Sequence, residues 1–528
     1  MLRRARDRKM TTDTYSSQIN SNIVFMKSGT LLAAVDLGSN SFRLEIGRHD
    51  RGQIQRTDYL KETVRLGSGL DSERHLTPDA MQRGWDCLAR FRERLSGFQK
   101  PQVRVVATQT LREAKNRDVF IRRGSEILGF PIEVIAGTEE ARLIYQGVAH
   151  LLPPSDERRL VIDIGGRSTE LILGQSLQAT QTQSFRIGIV AWSLKYFPDG
   201  RLTHHTLERA EIAAQAVLEE ALATYSRSDW DIAYGSSGTI GAVADILTLA
   251  GWPKGVIEIE GLRWLRKCLV RAGHVQHLSL EGLKEDRRPV IGGGLSVLHA
   301  LMQLLKIDQL HVAQGALRQG VLFDMLERSD HTHDTRDISV LRLAKKFHVD
   351  ESQVQRVKAV AHYFYRQISD AKDDHEEAAQ HPHVERELDW ACELHEIGIA
   401  VSHSDYHKHG AYILDNADML GFTMPELHRL GLIILGHKGK LRKLEQELED
   451  VDLARPLMAM RLAVLLCHAR LDPDFQSLHL RCQPNKRVFT LRAPPDWADT
   501  HPQSAHLLRM EMSAWERSSW KMNFVTES

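Results

Sequence analysis

Five acidic residues and three small-residue turns carry most of the chemistry this chain could perform. Asp36 ends an apolar stretch and runs into Gly38-Ser39-Asn40-Ser41; Asp163 ends another and runs into Gly165-Gly166-Arg167-Ser168. A carboxylate at the end of a buried strand is costly unless a metal, a proton or a hydrogen-bond donor meets it. Gly, Ser and Thr let backbone N–H groups approach a ligand closely, and their hydroxyls add donors. The third turn, Gly235-Ser236-Ser237-Gly238-Thr239, leads into the apolar segment Ile240–Leu247, where the unpaired N–H groups and positive end of a helix favour an anion. Such turns suit phosphate, and a few carboxylates beside phosphate suit Mg²⁺. Glu170 follows the second turn at a spacing that brings it beside Asp163 across a hairpin. Hydrogen bonding to the turn amides is the alternative role for these acids. Glu139 and Glu140 open an amphipathic segment through Ile144, Val148 and Leu151. Thr138 is a suitable N-cap, and acidic residues suit a first helical turn. That accounts for one of the two glutamates, and composition does not say which.

The elements that must position these residues come as a repeat. Leu32–Gly47 matches Leu160–Gly174, and setting Asp36 on Asp163 (163 − 36 = 127) also sets Gly38 on Gly165 and Ser41 on Ser168. Each copy reads as an apolar strand, a tight turn and an alternating strand. A second pair follows in the same order: Val103–Ala107 before Thr108–Arg112, and Trp230–Tyr234 before Gly235–Thr239. Two facing α/β lobes with small-residue turns at their mouth are expected, with a phosphate cleft between them.

Totals narrow the classes further. The 528 residues exceed one core and predict several domains. Lys plus Arg and Asp plus Glu are both 69, so a polyanion would need a local basic surface, and nucleic-acid coating is not expected. The five cysteines (Cys87, Cys268, Cys392, Cys467 and Cys482) are scattered, with no CxxC pair, which predicts neither a disulfide framework nor a zinc site. No apolar run reaches the roughly 20 residues of a membrane span. The basic opening segment lacks the apolar stretch and cleavage site of a secretion signal. Residues 1–30 read as a poorly ordered basic tail, with Met10 or Met26 as alternative starts.

Taken in order, Asp36–Ser41, Thr110–Ala114, Gly137–Ile144, Asp163–Glu170, Gly235–Thr239 and Gly315–Gly320 resemble the signature set of the Ppx/GppA phosphatases, within the actin, Hsp70 and sugar-kinase superfamily. The resemblance runs from about Leu31 past residue 490. It implies two actin-like (ribonuclease H-like) α/β domains flanking a cleft, an all-helical HD-like domain, and a small C-terminal α+β region. The expected boundaries are 31–152, 153–332, 333–475 and 476–528. Carried over position by position, it implies that Glu140 orients or deprotonates the attacking water. Asp163 and Glu170, with Asp36 as a further candidate, would hold Mg²⁺. Gly38, Ser39, Asn40, Ser41, Gly165, Gly166, Ser168, Ser236, Ser237, Gly238 and Thr239 would cradle phosphate oxygens, and Arg112 would bind a phosphate farther along. Arg167 stands where the family usually has a third glycine. Either its backbone is strained at positive φ or its guanidinium enters the cleft and pairs with phosphate. The second is the expectation here.

From Asp337 the pattern is helical: Val340–Phe347, Glu351–Ile368, Glu385–His395, Lys408–Asn416, Pro425–Leu435 and Leu457–Leu471, with Asp370–His383 as a polar loop. Leu394–Gly398, with His362, His409 and His437, resembles the HD-type phosphohydrolase fold. The metal-binding form needs His-Asp, and this chain has His395-Glu396, so a module for substrate retention and dimer contacts is the simpler reading. His437–Lys443 is a candidate polyanion-facing segment. Segments Gln476–Phe489 and Trp515–Asn523 read as strand-containing or mixed structure.

These readings converge on release of orthophosphate from the end of inorganic polyphosphate, with Mg²⁺, by a cytoplasmic homodimer, with peripheral membrane association as the alternative location. Leu194–Gly200 and His407–Leu414 resemble the long bacterial exopolyphosphatases. The same chemistry on guanosine pentaphosphate (pppGpp) is the alternative. From other classes come an ATP-dependent kinase, for which Ile291–Leu295 could supply an adenosine pocket, and a sensor that binds polyphosphate or nucleotide without turnover.

Overall fold

The computed structural model describes residues 29–50, 53–329, 334–369, 384–417 and 419–526. The basic tail up to residue 28 and the loop Asp370–His383 lie outside them. The first sheet contains β1 (Leu31–Leu37), β2 (Phe42–Asp50), β3 (Gln53–Glu62), β4 (Val103–Ala107) and β5 (Ile132–Val134) in the order β3-β2-β1-β4-β5. β1 is buried along nearly its whole length and β4 throughout, as central strands covered on both faces must be, whereas edge strand β3 is largely solvated. The helix Pro78–Arg94 packs Trp85, Leu88 and Phe91 on this sheet; Thr77 caps it by accepting from the Ala80 amide.

The second sheet repeats that order. It contains β6 (Arg158–Ile164), β7 (Thr169–Gln175), β8 (Gln178–Phe185), β10 (Ile232–Ser236), β11 (Val256–Glu258) and β13 (Gln309–Val312), arranged β11-β13-β10-β6-β7-β8. Two short strands, β9 (Arg201–Leu202) and β12 (Gly273–His274), pair apart from it. In each lobe an antiparallel hairpin (β1–β2, β6–β7) continues into a parallel neighbour (β4, β10). The repeat is therefore structural.

The lobes meet on two helices. Gly137–Ala149 and Leu317–Ser329 share one apolar cluster with Leu32, Ala34 and Val106 of the first lobe and Val161 and Ile172 of the second. Their backbones nearly touch: a Cβ on Gly320 would lie 1.7 Å from the Leu143 carbonyl oxygen, and one on Gly147 2.2 Å from that of Ala316. Only glycine permits this approach. The second helix thus leaves the second lobe in sequence and packs against the first in space.

Beyond Asp334 the helices Thr335–Lys346, Glu351–Ser369, Val384–Leu394, Tyr406–Asn416, Met424–Gly436 and Val451–Leu466 form the expected helical unit. The last segment forms β14 (His479–Gln483), β15 (Val488–Ala493) and β16 (Lys521–Thr526), with the helix Pro502–Trp515 between the last two strands. Its Phe489, Trp515 and Trp520 lie in one core with Phe364, Leu388 and Leu457 of the helices. Among the described residues no helix is long and apolar enough to cross a membrane.

Candidate active site

The cleft between the lobes encloses about 280 Å³ and is lined by the first turn (Gly38, Ser39, Asn40, Ser41), the second (Gly165, Gly166, Ser168) and the third (Ser237, Gly238, Thr239). Asp36, Glu140 and Asp163 also face it. The sequence-derived set therefore converges from three separate strand ends. Two members are turned to structural duty. The Ser236 hydroxyl is buried and donates to the Gly315 carbonyl (2.9 Å); that of Thr239 donates to Ile164 (3.1 Å) while the residue still lines the cleft.

The hairpin register sets the acids. Asp163 stands opposite Glu170 across β6–β7, and Asp36 opposite Arg43 across β1–β2. Directly opposed residues of an antiparallel pair share a face, so Glu170 sits beside Asp163 as its spacing predicts. It lies behind the cleft surface, 1% exposed, and accepts from the Ser184 hydroxyl at 2.8 Å. Burial first, then the charges of Glu140 and Asp163, push the Glu170 carboxyl well up. Burial raises Asp163 to about 6 against the lowering influence of neighbouring Ser236 and Arg43, and burial also raises Glu140 against the lowering pull of Arg112. The pocket behind the turns is thus short of positive charge.

The two adjacent glutamates separate cleanly. The helix Gly137–Ala149 is capped by Ala136, without a side-chain bond, so the expected Thr138 cap does not form. Glu139, 1% exposed, accepts from Arg142 through two 2.8 Å bonds and from the Gly421 amide of the helical domain at 2.7 Å. Glu140 faces the cleft. The first acid ties two domains together; the second is available for chemistry.

Arg112 and Arg167 differ from expectation. Arg112 donates to Glu140 (2.8 Å), the Ile135 carbonyl (2.9 Å) and Gln109 (2.8 and 3.1 Å), so it positions the glutamate and does not line the cleft. Arg167 is absent from the residues at positive φ, so its backbone carries no such strain. Its guanidinium crosses to the first lobe, donating to the Gly67 carbonyl (3.0 Å) and to Glu113 (3.1 Å). Arg167 is a latch between lobes, its guanidinium engaged by Gly67 and Glu113 of the first. Arg167→Gly is expected to leave the sheets intact, speed hydrogen exchange around Leu66–Gly69, and lower stability by about 1 kcal/mol, read as a drop in the thermal midpoint. Unchanged exchange in that segment would remove the latch assignment.

The cations that do face the cleft are Arg43, Arg287 and Arg318. Arg43 Nη1 lies 3.8 Å and Arg318 Nη1 3.5 Å from Asp36, and Arg318 Nε donates to Glu45 at 3.2 Å. Arg43 Nε, Arg318 Nη1 and the Ser41 hydroxyl are buried without a hydrogen-bond partner. Burial and the Arg43 charge pull Arg287 below its ordinary value. Unmet donors crowded together against small-residue turns are what an entering anion would satisfy. Arg318 lies inside the motif Gly315–Gly320, and Arg43 is the counterpart of Glu170 in the repeat (170 − 43 = 127); both could have been found that way. Arg287 carries no such signal.

The sequence profile of the Ppx/GppA phosphatase family matches residues 45–329, and that of Ppx/GppA phosphatase, domain III, matches residues 335–512. The chain belongs to the Ppx/GppA phosphatase family. An exopolyphosphatase from Cytophaga hutchinsonii is similar to this Ppx/GppA chain at 26% identity and a TM-score of 0.50, over 57% of this chain and 98% of that one. A Ppx/GppA family member from Aquifex aeolicus aligns at 24% identity and a TM-score of 0.50, over 57% and 99%. An exopolyphosphatase-like protein aligns at 24% identity and a TM-score of 0.51, over 56% and 98%. These likenesses support the actin-like α/β pair of this Ppx/GppA chain.

In the helical domain, Glu396 accepts from Arg470 (2.6 Å) and His362 meets Asp389 (2.5 Å), so neither joins His395. Among the described residues no group of three or more His, Cys, Asp or Glu is arranged to hold a metal ion.

Proposed function

We propose that this protein hydrolyses the terminal phosphoanhydride of inorganic polyphosphate and releases orthophosphate. The observation that carries the reading is Glu140, a buried carboxylate raised by burial and held by Arg112, facing a cleft that also presents Arg43, Arg287 and Arg318. A base is most effective when its pKa lies near the working pH and it reaches the water it activates. Glu140 takes the proton of that water; the arginines and turn amides hold the phosphate oxygens on which charge spreads. Asp163 and Glu170 fit Mg²⁺: they are hard oxygen donors, side by side and buried, with no salt bridge to a cationic side chain among the described residues. Bound there, the ion would supply charge neutralisation on the phosphoryl group. Polyphosphate is preferred over guanosine pentaphosphate because the segments Leu194–Gly200 and His407–Leu414 resemble those of long exopolyphosphatases.

The test is orthophosphate release with Mg²⁺ from long-chain polyphosphate and, in parallel, guanosine pentaphosphate. Faster release from polyphosphate is expected. Faster release from the nucleotide would overturn the substrate, and release from neither, with binding intact, would overturn hydrolysis.

The acid pair predicts a linkage between pH and metal. With its folded pKa raised to about 6 from an ordinary 3.8, Asp163 binds a proton in the folded state that the unfolded chain has released. Without a cation, stability falls as pH rises through that window. A cation competes with the proton, so Mg²⁺ is expected to raise the melting temperature at pH 7.5 and scarcely at pH 5. Asp163→Asn should lose the increment. An equal Mg²⁺ effect at both pH values would argue against this site.

A further inference from the structure

The short helix Gln109–Glu113 belongs to the first lobe and sends its side chains three ways. The Thr110 hydroxyl, buried with its residue, donates to that of Ser39 in the first turn at 2.7 Å. Arg112 holds Glu140, and Glu113 accepts from Arg167 of the second turn. Gln109 is buried, and both ends of its amide are spent on its neighbours. Oε1 accepts from Arg112 Nε (3.1 Å) and Nη2 (2.8 Å), and Nε2 donates to Glu113 Oε1 at 2.7 Å.

That geometry follows from spacing and from donor chemistry. Residues three and four apart share one face of a helix, so Gln109 meets Arg112 and Glu113 together. An ionised carboxylate only accepts and a guanidinium only donates. Nε2 must therefore face Glu113 and Oε1 must face Arg112; a flipped amide would set donor against donor and acceptor against acceptor.

The bonds join into one line across the lobes. Arg167 Nη2 donates to Glu113 Oε2 at 3.1 Å, Gln109 bridges Glu113 to Arg112, and Arg112 Nη1 donates to Glu140 Oε2 at 2.8 Å and to the Ile135 carbonyl at 2.9 Å. With Nε, Nη1 and Nη2 all engaged, the guanidinium of Arg112 is fixed from both edges. It takes one oxygen of Glu140 and leaves the other for water. At the far end, Arg167 stands between Gly166 and Ser168, which line the cleft. Its side chain is packed closely: a Cβ on Gly67 would lie 2.9 Å from Arg167 Cδ and 3.0 Å from Ser39 Cβ. A shift of the second turn thus reaches the carboxylate on the first lobe through side chains that are each held at both ends.

We propose that Gln109 is a positioning residue for hydrolysis: seating of Arg167 on Glu113 sets Arg112 through Gln109, and Arg112 aims Glu140 at the attacking water. The line is complete only when the lobes are together, so the base is aligned when the second turn is in place to hold phosphate. A displacement of about 1 Å at a reacting group is enough to cost a large part of its effect. The inference rests on Glu140 as the base of the reaction proposed above and adds the condition under which that base is aligned. The cleft lining skips Gln109, Glu113 and Arg167, so substrate affinity is expected to be spared when the line is cut.

The experiment is a double-mutant cycle on the full-length chain, with Mg²⁺ and long-chain polyphosphate. kcat and KM are measured at a temperature at which melting curves show each variant folded. Gln109→Leu keeps bulk and removes both ends of the amide; Arg167→Gly removes the far cation. Gln109→Leu is expected to lower kcat about ten-fold and Arg167→Gly about five-fold, each with KM within about two-fold. Because the two act along one line, the double variant should lose about ten-fold, instead of the roughly fifty-fold of independent sites. Arg167→Lys, which keeps a cation for Glu113, should recover most of the loss. Gln109→Met, flexible enough to fill the same space, replaces Gln109→Leu in the cycle if the latter does not fold. Unchanged kcat in either single variant, a rise in KM alone, or a roughly fifty-fold loss in the double variant would overturn the coupling and leave the reaction standing. Absence of release by the wild type would overturn both.

Discussion

Glu140→Gln is expected to lower kcat for phosphate release by about 10²–10⁴, the usual worth of a positioned general base, with little change in KM or melting temperature. Glutamine preserves the side chain's size and can still accept from Arg112, whose bond to Glu140 is 2.8 Å; what it loses is the ability to take a proton. Glu139→Gln is the matched control. Glu139 holds Arg142 and the Gly421 amide, so its loss is expected to lower stability while kcat per folded molecule stays within a few-fold. Steady-state release by both variants, beside their melting curves, separates the roles. A collapse of kcat in Glu139→Gln with Glu140→Gln active would reverse the assignment.

Asp324→Asn is expected to destabilise the chain by about 3–5 kcal/mol, the cost of removing one member of a buried ion network. Asp324 is 2% exposed and accepts from Arg104, Arg142 (2.5 Å) and Arg328 (2.6 Å). Burial would raise its carboxyl, but the charges of Arg142, Arg328 and Arg104 overcome this and hold it far below the usual range. Without it these guanidiniums keep only their other partners, Glu133, Glu139, Gln146, Glu426 and the Gly421 carbonyl. A depressed carboxyl contributes stability above its unfolded pKa and loses it as pH falls. The gap between wild type and variant, read from thermal or urea midpoints, should therefore narrow below about pH 4. A gap under 1 kcal/mol at pH 7.5 would show that the arginines find other partners.

Reading the sequence alone located what is local and repeated. The apolar runs of β1 and β6, the turns after Asp36 and Asp163, and the pairing of Asp163 with Glu170 all follow from spacing within one hairpin. Contacts between distant segments were not legible. Nothing near Arg167 announces Glu113, and nothing near Glu139 announces Gly421; both pairs depend on how whole lobes and domains come to rest. For the same reason the sequence does not show where the Arg112 guanidinium goes: the family resemblance implies a phosphate ligand, and in the structure it is taken up by Glu140, Ile135 and Gln109. The existence of the helices follows from periodicity, but not all their ends: Val340–Phe347 begins at Thr335, and Leu457–Leu471 runs instead from Val451 to Leu466. The merging of the C-terminal strands into the helical core does not follow from it, since Phe489 and Trp520 carry no pattern that names their neighbours.

The exchange of Arg43 in one hairpin for Glu170 at the same place in the other has a consequence for anything that lies across the cleft. Two copies of one backbone would make a mouth that looks the same from either side, and a linear anion would have no reason to enter one way round. A guanidinium in the cleft at one matched position and a buried carboxyl behind the surface at the other give the cleft a head and a tail. An anion is drawn toward the wall of Arg43 and, among the described residues, meets no matching cation on the wall backed by Glu170. Duplication supplied the frame, and the sign change supplied a direction.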